Sequence, residues 1–418
     1  MPMSCAGYRM TRRSMMAGTG ASILGLSVAD LLANAGKSHE AKAEHVILFW
    51  NGGGMSHIDT WDPKPGRPVA GEFSPIDTSV PGIKISEIFP TVAEQMHNAT
   101  IIRSIAGTQG DHGRATYNLQ TSYLPGPLQH PGVGSVVVHE KESISDLPSY
   151  ISISGQARRA SYLGQSCEAY YVPNPGDKDP YLAFPESIGD VRGNKRLAVL
   201  ERFNKRFGAK KADPRLASTQ TSIDDAVRLM RSPALEAFEL QKVPQETLDR
   251  YGDTAFGRGA LLAGRLVEKG VRFVQVNRGG FDTHGNNFPA MENHGLVMDP
   301  ALGSLVKDLA DSGLLAKTMV IMISEFGRTP RINDNAGRDH WANCFSCFIA
   351  GGGVKGGQVI GSSDEDAAYP EDRPVEVPDL HASLCHALGI DHNKEVMTPL
   401  RRPMKLVDEG TVVPELFG

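Results

Sequence analysis

The sequence predicts a three-layer α/β/α sandwich with a mostly parallel central sheet, and three observations carry that expectation. Short runs of β-branched and aromatic residues alternate with helical patterns. The strand candidates are apolar along their whole length, as strands covered on both faces must be. Glycines cut them, and carboxylates and imidazoles follow two of the cuts, where open α/β sheets keep their chemistry.

The organising strand lies in Val271 to His284, VRFVQVNRGGFDTH. Val271, Phe273 and Val276 build it, Gly279 and Gly280 break it, and Asp282 and His284 face the space beyond its carboxyl end. Thr318 to Ser324 (TMVIMIS) repeats the layout and delivers Glu325 into FGRTP, then into a loop carrying Asn335, Arg338, Asp339 and His340. Two such strand ends point to one site assembled from distant parts of the chain.

The first strand is His45 to Trp50, which runs into Asn51-Gly52-Gly53-Gly54 and then MSHIDTWDPKP, placing His57, Asp59 and Asp62 beside a tight turn. A short helix with Pro90 at its start follows a loop-like stretch. Ala99 to Ile105 returns as a second core strand and breaks at Gly107, ahead of Thr108, Gly110, Asp111, His112 and Arg114. A helix from Arg114 would point its amino end back into that loop, an arrangement suited to an anion. A second helix covers 132–139, and a short strand lies in SYISISG. Charged helical patterns near 186–255 read as an insertion or lid on a main domain spanning 44–400, with the basic run Arg202, Lys205, Arg206, Lys210 and Lys211 as a solvated face. Helices at 256–269 and 293–311 bracket the organising strand, Phe345 to Ala350 adds another strand, and 380–388 is the last helix.

The chain of 418 residues suits one large domain, and its net charge of −5 with mixed signs offers no basic surface of the kind nucleic acid requires. Residues 1–40 read as a targeting segment. Arg9, Arg12 and Arg13 precede an apolar run that glycines and Asp30 interrupt, too weak for a permanent membrane anchor. Thr-Arg-Arg-Ser-Met-Met resembles a twin-arginine export signal, which implies the export machinery as a partner and a periplasmic or secreted protein. Of the remaining cysteines, Cys344 and Cys347 have CxxC spacing but run into an apolar strand, and read as core residues rather than a redox or zinc pair.

The leader, GGGMSHIDTWDPKP, GGFDTH, SEFGRTP and GRDHW together resemble the DUF1501 family of exported bacterial proteins, placed near the sulfatases and the alkaline phosphatase superfamily. The resemblance covers essentially the whole chain. It implies an alkaline phosphatase-like fold and a divalent metal, Zn²⁺, Mn²⁺ or Ca²⁺, used on phosphate or sulfate esters of small molecules or polysaccharide. On that resemblance Asp282 and His284 match ligands placed after a late strand, Glu325 the acidic member of an Asp-His pair, and His340 the final histidine. Three departures stand out: Asn51 replaces a first-strand aspartate, Phe326 replaces the histidine of the pair, and Gly110 replaces the nucleophile at a helix start. Asp59, with His57, is the expected substitute ligand. Thr108 and Thr116 are the nearest hydroxyls, Asp111 or His112 the candidate base, and Arg114 and Arg328 the candidate clamps for a transferring group. The competing expectation is a secreted binding or structural protein that kept the fold and lost turnover.

Overall fold

Strand β1 (His45–Asn51) has no polar face because both its faces are covered. Ile47 and Phe49 enter one core layer, while Val46, Leu48 and Trp50 enter the other. The computed structural model describes residues 40–177, 182–184, 187–208 and 214–418. The expected leader lies outside the described residues, as do Lys210 and Lys211, and the fold is that of residues 41–418.

In chain order the other strands of the main sheet are β2 (Ala99–Ala106), β3 (Tyr150–Ile153), β4 (Tyr170–Val172), β5 (Phe273–Arg278), β6 (Thr318–Ile323), β7 (Phe345–Ala350), β8 (Gln358–Ile360) and β9 (Val375–Glu376). Their spatial order is β8-β2-β7-β6-β1-β5-β3-β4, with β9 also paired to β2. The strands ending in the two motifs, β5 and β6, flank β1 directly and run parallel to it.

One strand departs from the parallel expectation. β7 is antiparallel to both β6 and β2. An antiparallel neighbour needs no crossover helix, so the chain passes from β6 to β7 through a loop, residues 324–344, that stays at the carboxyl end of the parallel strands. This single reversal holds Glu325 and His340 at the same end of the sheet as the segment following β5.

Helices α1 (Pro90–Glu94), α2 (His112–Thr121), α3 (Val133–Glu140), α4 (Gly189–Gly208), α5 (Pro214–Arg231), α6 (Gln245–Arg250), α7 (Ala255–Glu268), α8 (Asn287–Asp311) and α9 (Val377–Ala387) are the α-helices among the described residues. Ala260, Leu262 and Leu266 of α7 with Leu302, Leu305 and Val306 of α8 pack on one face of the sheet. Leu119 of α2, Val136 and Val137 of α3, and Leu384 of α9 pack on the other. Helix α2 begins two residues before the expected Arg114, because Asp111 caps it: its Oδ1 accepts from the Arg114 backbone N at 3.0 Å. Helix α8 likewise starts six residues ahead of Asn293 and continues through Pro300. Cys167, Cys344, Cys347 and Cys385 are buried and free, and burial pushes the Cys344 and Cys385 thiols up to about 12, the state of inert core residues.

Candidate metal centre

The glycine turn after β1 lets three chain segments meet. A Cβ on Gly53, at φ +120°, would stand 2.6 Å from the Asp282 backbone N, and one on Gly54, at φ +80°, would stand 2.4 Å from the Phe326 ring. Both positions therefore exclude a side chain. Gly53 N donates to Glu325 Oε1 at 2.8 Å, while Gly54 N and Met55 N donate to Ser324 Oγ at 3.0 and 2.9 Å. The ends of β1, β5 and β6 are locked together before any ligand is considered.

Three imidazoles stand over this junction in the same manner. His112 Nδ1 bonds Glu325 Oε1 at 2.9 Å, His284 Nδ1 bonds Asp339 Oδ1 at 2.6 Å, and His340 Nδ1 bonds the Gly110 carbonyl at 2.8 Å. A carboxylate or carbonyl can only accept, so each Nδ1 carries a proton and donates it, and each ring turns its Nε2 inward. Those three atoms converge on Asp282. His284 Nε2 and His340 Nε2 lie 3.0 and 3.1 Å from its Oδ1, and His112 Nε2 lies 3.3 Å from its Oδ2. His112 Nε2 is buried without a hydrogen-bond partner.

This arrangement fits a divalent cation. One ligand atom each from His112, Asp282 and His340 lies within 4.8 Å of the others, and atoms sharing an ion at the usual bond lengths stand about 3–3.5 Å apart. A ring N–H given to a carboxylate or carbonyl is how metal-binding histidines are oriented. Imidazole with carboxylate suits Zn²⁺ or Mn²⁺ better than Ca²⁺, which takes oxygen ligands. The Asp282 and His284 side chains are each 48% exposed, so the centre is open to a substrate.

Charge supports the same picture. Burial raises the Asp282 carboxyl, but hydrogen bonds from Arg328 and His340 outweigh it and hold the group below the usual carboxylate range. The His284 bond likewise holds Asp339 down. Beneath the cluster the buried Phe326 ring packs 5.0 Å from His112 and 4.6 Å from His340, an apolar floor where the resemblance would place a ligand.

Several expected site residues have other positions or duties. Asp59 and His57 are not brought to the cluster. The chain coils after the glycine turn, with Trp61 N and Asp62 N both donating to the His57 carbonyl, and this carries them inward. Asp59 is fully buried and accepts from Arg338 Nε and Nη2 at 2.8 and 3.0 Å. His57 is buried against Gly327, with Nε2 2.9 Å from the Ala367 carbonyl. Glu325 holds His112 and the turn rather than joining the inward-facing atoms.

The expected clamp and base residues also differ. Arg328 is fully buried and committed, Nε to Gly54 O at 2.8 Å, Nη1 to Arg338 O at 3.0 Å, and Nη2 to Gly53 O and to Asp282 Oδ1. It positions the centre and cannot also clamp a substrate. His112 belongs to the converging set and is not a free base. Asp111 is the exposed cap of α2, Arg114 lies exposed on that helix, and Thr108 is exposed beside Gln109, whose Nε2 donates to its Oγ1 at 3.0 Å. Asp339, which the sequence places in the loop but does not mark as chemical, orients His284. Its signal was adjacency to His340 after a glycine.

The fold and this cluster define a class: an α/β/α protein with a candidate metal centre at the carboxyl end of its parallel strands. The chain belongs to the family described as "Protein of unknown function (DUF1501)", whose model matches residues 43–417. No curated protein matches the sequence. Among solved structures it is similar to a sulfatase from Pseudoalteromonas sp., at 12% identity and TM-score 0.39 over 91% of this chain and 72% of that one. It is also similar to a phosphonate monoester hydrolase from Silicibacter pomeroyi, at 11% identity and TM-score 0.38 over 90% and 77%. A third is the lipoteichoic acid synthase LtaP from Listeria monocytogenes, at 9% identity and TM-score 0.36 over 84% and 73%.

Proposed function

We propose that this chain is a metal-dependent hydrolase of phosphate or sulfate esters, acting outside the cytoplasm on esters of the cell envelope or of extracellular polysaccharide. The observation that carries the reading is the convergence of three Nε2 atoms on Asp282, each ring fixed through its Nδ1 by Glu325, Asp339 or Gly110. His112, Asp282, His284 and His340 are the residues that would hold the cation. A cation there would neutralise charge developing on the transferring group and make water a better nucleophile.

The protein's own groups do the rest. Glu325 and Asp339 keep the His112 and His284 rings aimed inward, and Arg328 keeps Asp282 ionised and aimed. Gly110 offers no hydroxyl, and Thr108 is turned to solvent, so water attacks the phosphorus or sulfur. Its proton passes to Asp111, the exposed carboxylate at the start of α2. The bond to the alcohol oxygen breaks as the new bond forms, and the alcohol leaves with a proton from solvent.

Export by the twin-arginine route is part of the proposal and rests on Arg12 and Arg13. Among the described residues no helix is long and apolar enough to cross a membrane.

Gly110 also favours a second reading, a binding protein of the same fold without turnover. Full-length protein loaded in turn with Zn²⁺, Mn²⁺ and Ca²⁺ and assayed on an aryl phosphate, a phosphodiester and an aryl sulfate separates the two. Turnover lost in Asp282→Ala and His284→Ala supports the hydrolase. Stoichiometric metal uptake with no turnover on any ester supports the binding protein.

A further inference from the structure

We infer that Arg158 binds an anionic group beside the candidate centre, and that this group is a second charge on the substrate rather than the ester being cleaved. The inference deepens the hydrolase reading and rests on it for the identity of the first anionic group.

A groove runs along α2 from His112, lined by Thr116 and Gln120 of that helix and by Gln156, Arg158 and Arg159 of the segment after β3. Positions 112, 116 and 120 repeat every four residues, so one helix face forms the groove wall and ends at the metal-binding side chain. The opposite wall presents two guanidiniums with different duties. Arg159 is 86% exposed at the rim, 3.4 Å from Glu168. Arg158 lies over the Tyr117 ring, 4.4 Å from its centroid, and among the described residues no carboxylate pairs with it.

The Arg158 side chain is held and its charge is unanswered. Tyr117 is itself fixed, its hydroxyl donating to Leu128 O at 3.2 Å and accepting from His130 N at 2.8 Å. Arg158 Nε is buried with no hydrogen-bond partner, and burial pushes the guanidinium below its ordinary range. A partly desolvated cation with an orphaned donor is costly until an anion meets it. A phosphate or sulfate lying in the groove would answer the guanidinium's charge.

Spacing decides which anion this is. Tyr117 follows His112 by five residues, about 7.5 Å along the helix at 1.5 Å per residue. A group on Arg158, stacked over Tyr117, is therefore displaced along the helix from His112 by about one sugar unit, roughly 5–8 Å. The ligand class is a small or polymeric ester carrying a second phosphate or sulfate, with its uncharged part against Thr116 and Gln120.

The test titrates the full-length, Mn²⁺-loaded protein calorimetrically with matched pairs: a monosulfated and a disulfated disaccharide, and glucose 1-phosphate and glucose 1,6-bisphosphate. The doubly charged member of one pair should bind about tenfold tighter or more, the scale of one charge-assisted contact. Arg158→Met should erase that preference and leave the singly charged ligand unchanged, while Arg158→Lys restores part of it. Thermal midpoints of both variants control for folding. No preference in the wild type, or an equal preference in Arg158→Met, overturns the inference. Metal content of the same samples keeps the two readings apart. Metal uptake and turnover with an unaltered preference defeat the Arg158 site alone, whereas an Arg158-dependent preference in protein that takes up no metal defeats the hydrolase and leaves the anion site standing.

Discussion

His284 Nε2 and His340 Nε2 face each other at 3.0 Å, and each ring has already given its Nδ1 proton to an outside acceptor. Two Nε2 atoms held this close beside a carboxylate suit a shared cation. Zn²⁺ or Mn²⁺ should therefore raise the unfolding temperature. At a hundredfold excess over the dissociation constant the stabilisation is about 2.7 kcal/mol. Calorimetric scans with metal and with chelator read this directly, and coincident scans for every metal tried would dismiss the centre.

Asp339 and Glu325 touch rings rather than the point of convergence, so their loss should weaken metal binding without abolishing it. Asp339→Ala and Glu325→Gln are each expected to lower affinity about 10- to 100-fold. Asp282→Ala should remove binding altogether. A competition titration with a chromogenic chelator ranks the three, and Asp339→Ala with wild-type affinity would remove that residue from the account.

Asp59 and Arg338 form a buried pair whose members are both fully enclosed. Asp59→Ala leaves the Arg338 charge uncompensated and should cost about 3–5 kcal/mol of stability. Urea unfolding of the variant measures it. A change under about 1 kcal/mol would mean the pair is not structural, since surface substitutions fall in that range.

His381 is buried on α9 with Nε2 2.8 Å from the Leu119 carbonyl of α2, and burial, opposed by that bond, pushes its pKa down to about 4. Above pH 6.5 the ring is neutral folded or unfolded and its contribution is complete. Below 6.5 the unfolded chain takes up a proton the folded chain refuses, so stability falls as pH drops toward 4, by at most about 3 kcal/mol. His381→Gln should flatten this dependence between pH 7 and 4.5 in urea titrations. An unchanged slope would assign the acid sensitivity to other buried histidines, of which His45, His57 and His294 are also pushed down by burial.

Gly110 has open space where a Cβ would sit and no unusual backbone angle. Gly110→Ser should thus fold with stability within about 0.5 kcal/mol of the wild type. It restores a hydroxyl at the start of α2. If water is the nucleophile, mass spectrometry after incubation with an aryl phosphate should show no phosphorylated serine or threonine in the wild type, and a phosphorylated Thr108 or Thr116 would reverse that assignment.

Much of the fold is legible in the sequence because the signals are local. Continuous apolar runs place β1, β2, β5, β6 and β7 within two residues, four of them cut short by glycine. The reversal of β7 is not legible, since FSCFIA reads the same in either direction of pairing. In the site, Asp282, His284, His112 and His340 are brought together as their positions at strand and helix ends suggest. Asp59 looks equally placed beside the glycine turn, but only its distant partner Arg338 reveals that it faces inward. For the same reason Arg328 reads as a free cation in sequence, although the backbone oxygens of Gly53, Gly54 and Arg338 occupy it.

The Arg328 guanidinium joins the turn after β1, the segment after β5 and the β6–β7 loop, and the bonded pair His112 and Glu325 stands 213 residues apart in the chain. No short stretch of the chain holds the cluster, and a ribosome adds His340 only after His112, Asp282 and His284. On the proposed reading, a cation would meet isolated histidines on the nascent chain and a cluster only in the finished fold.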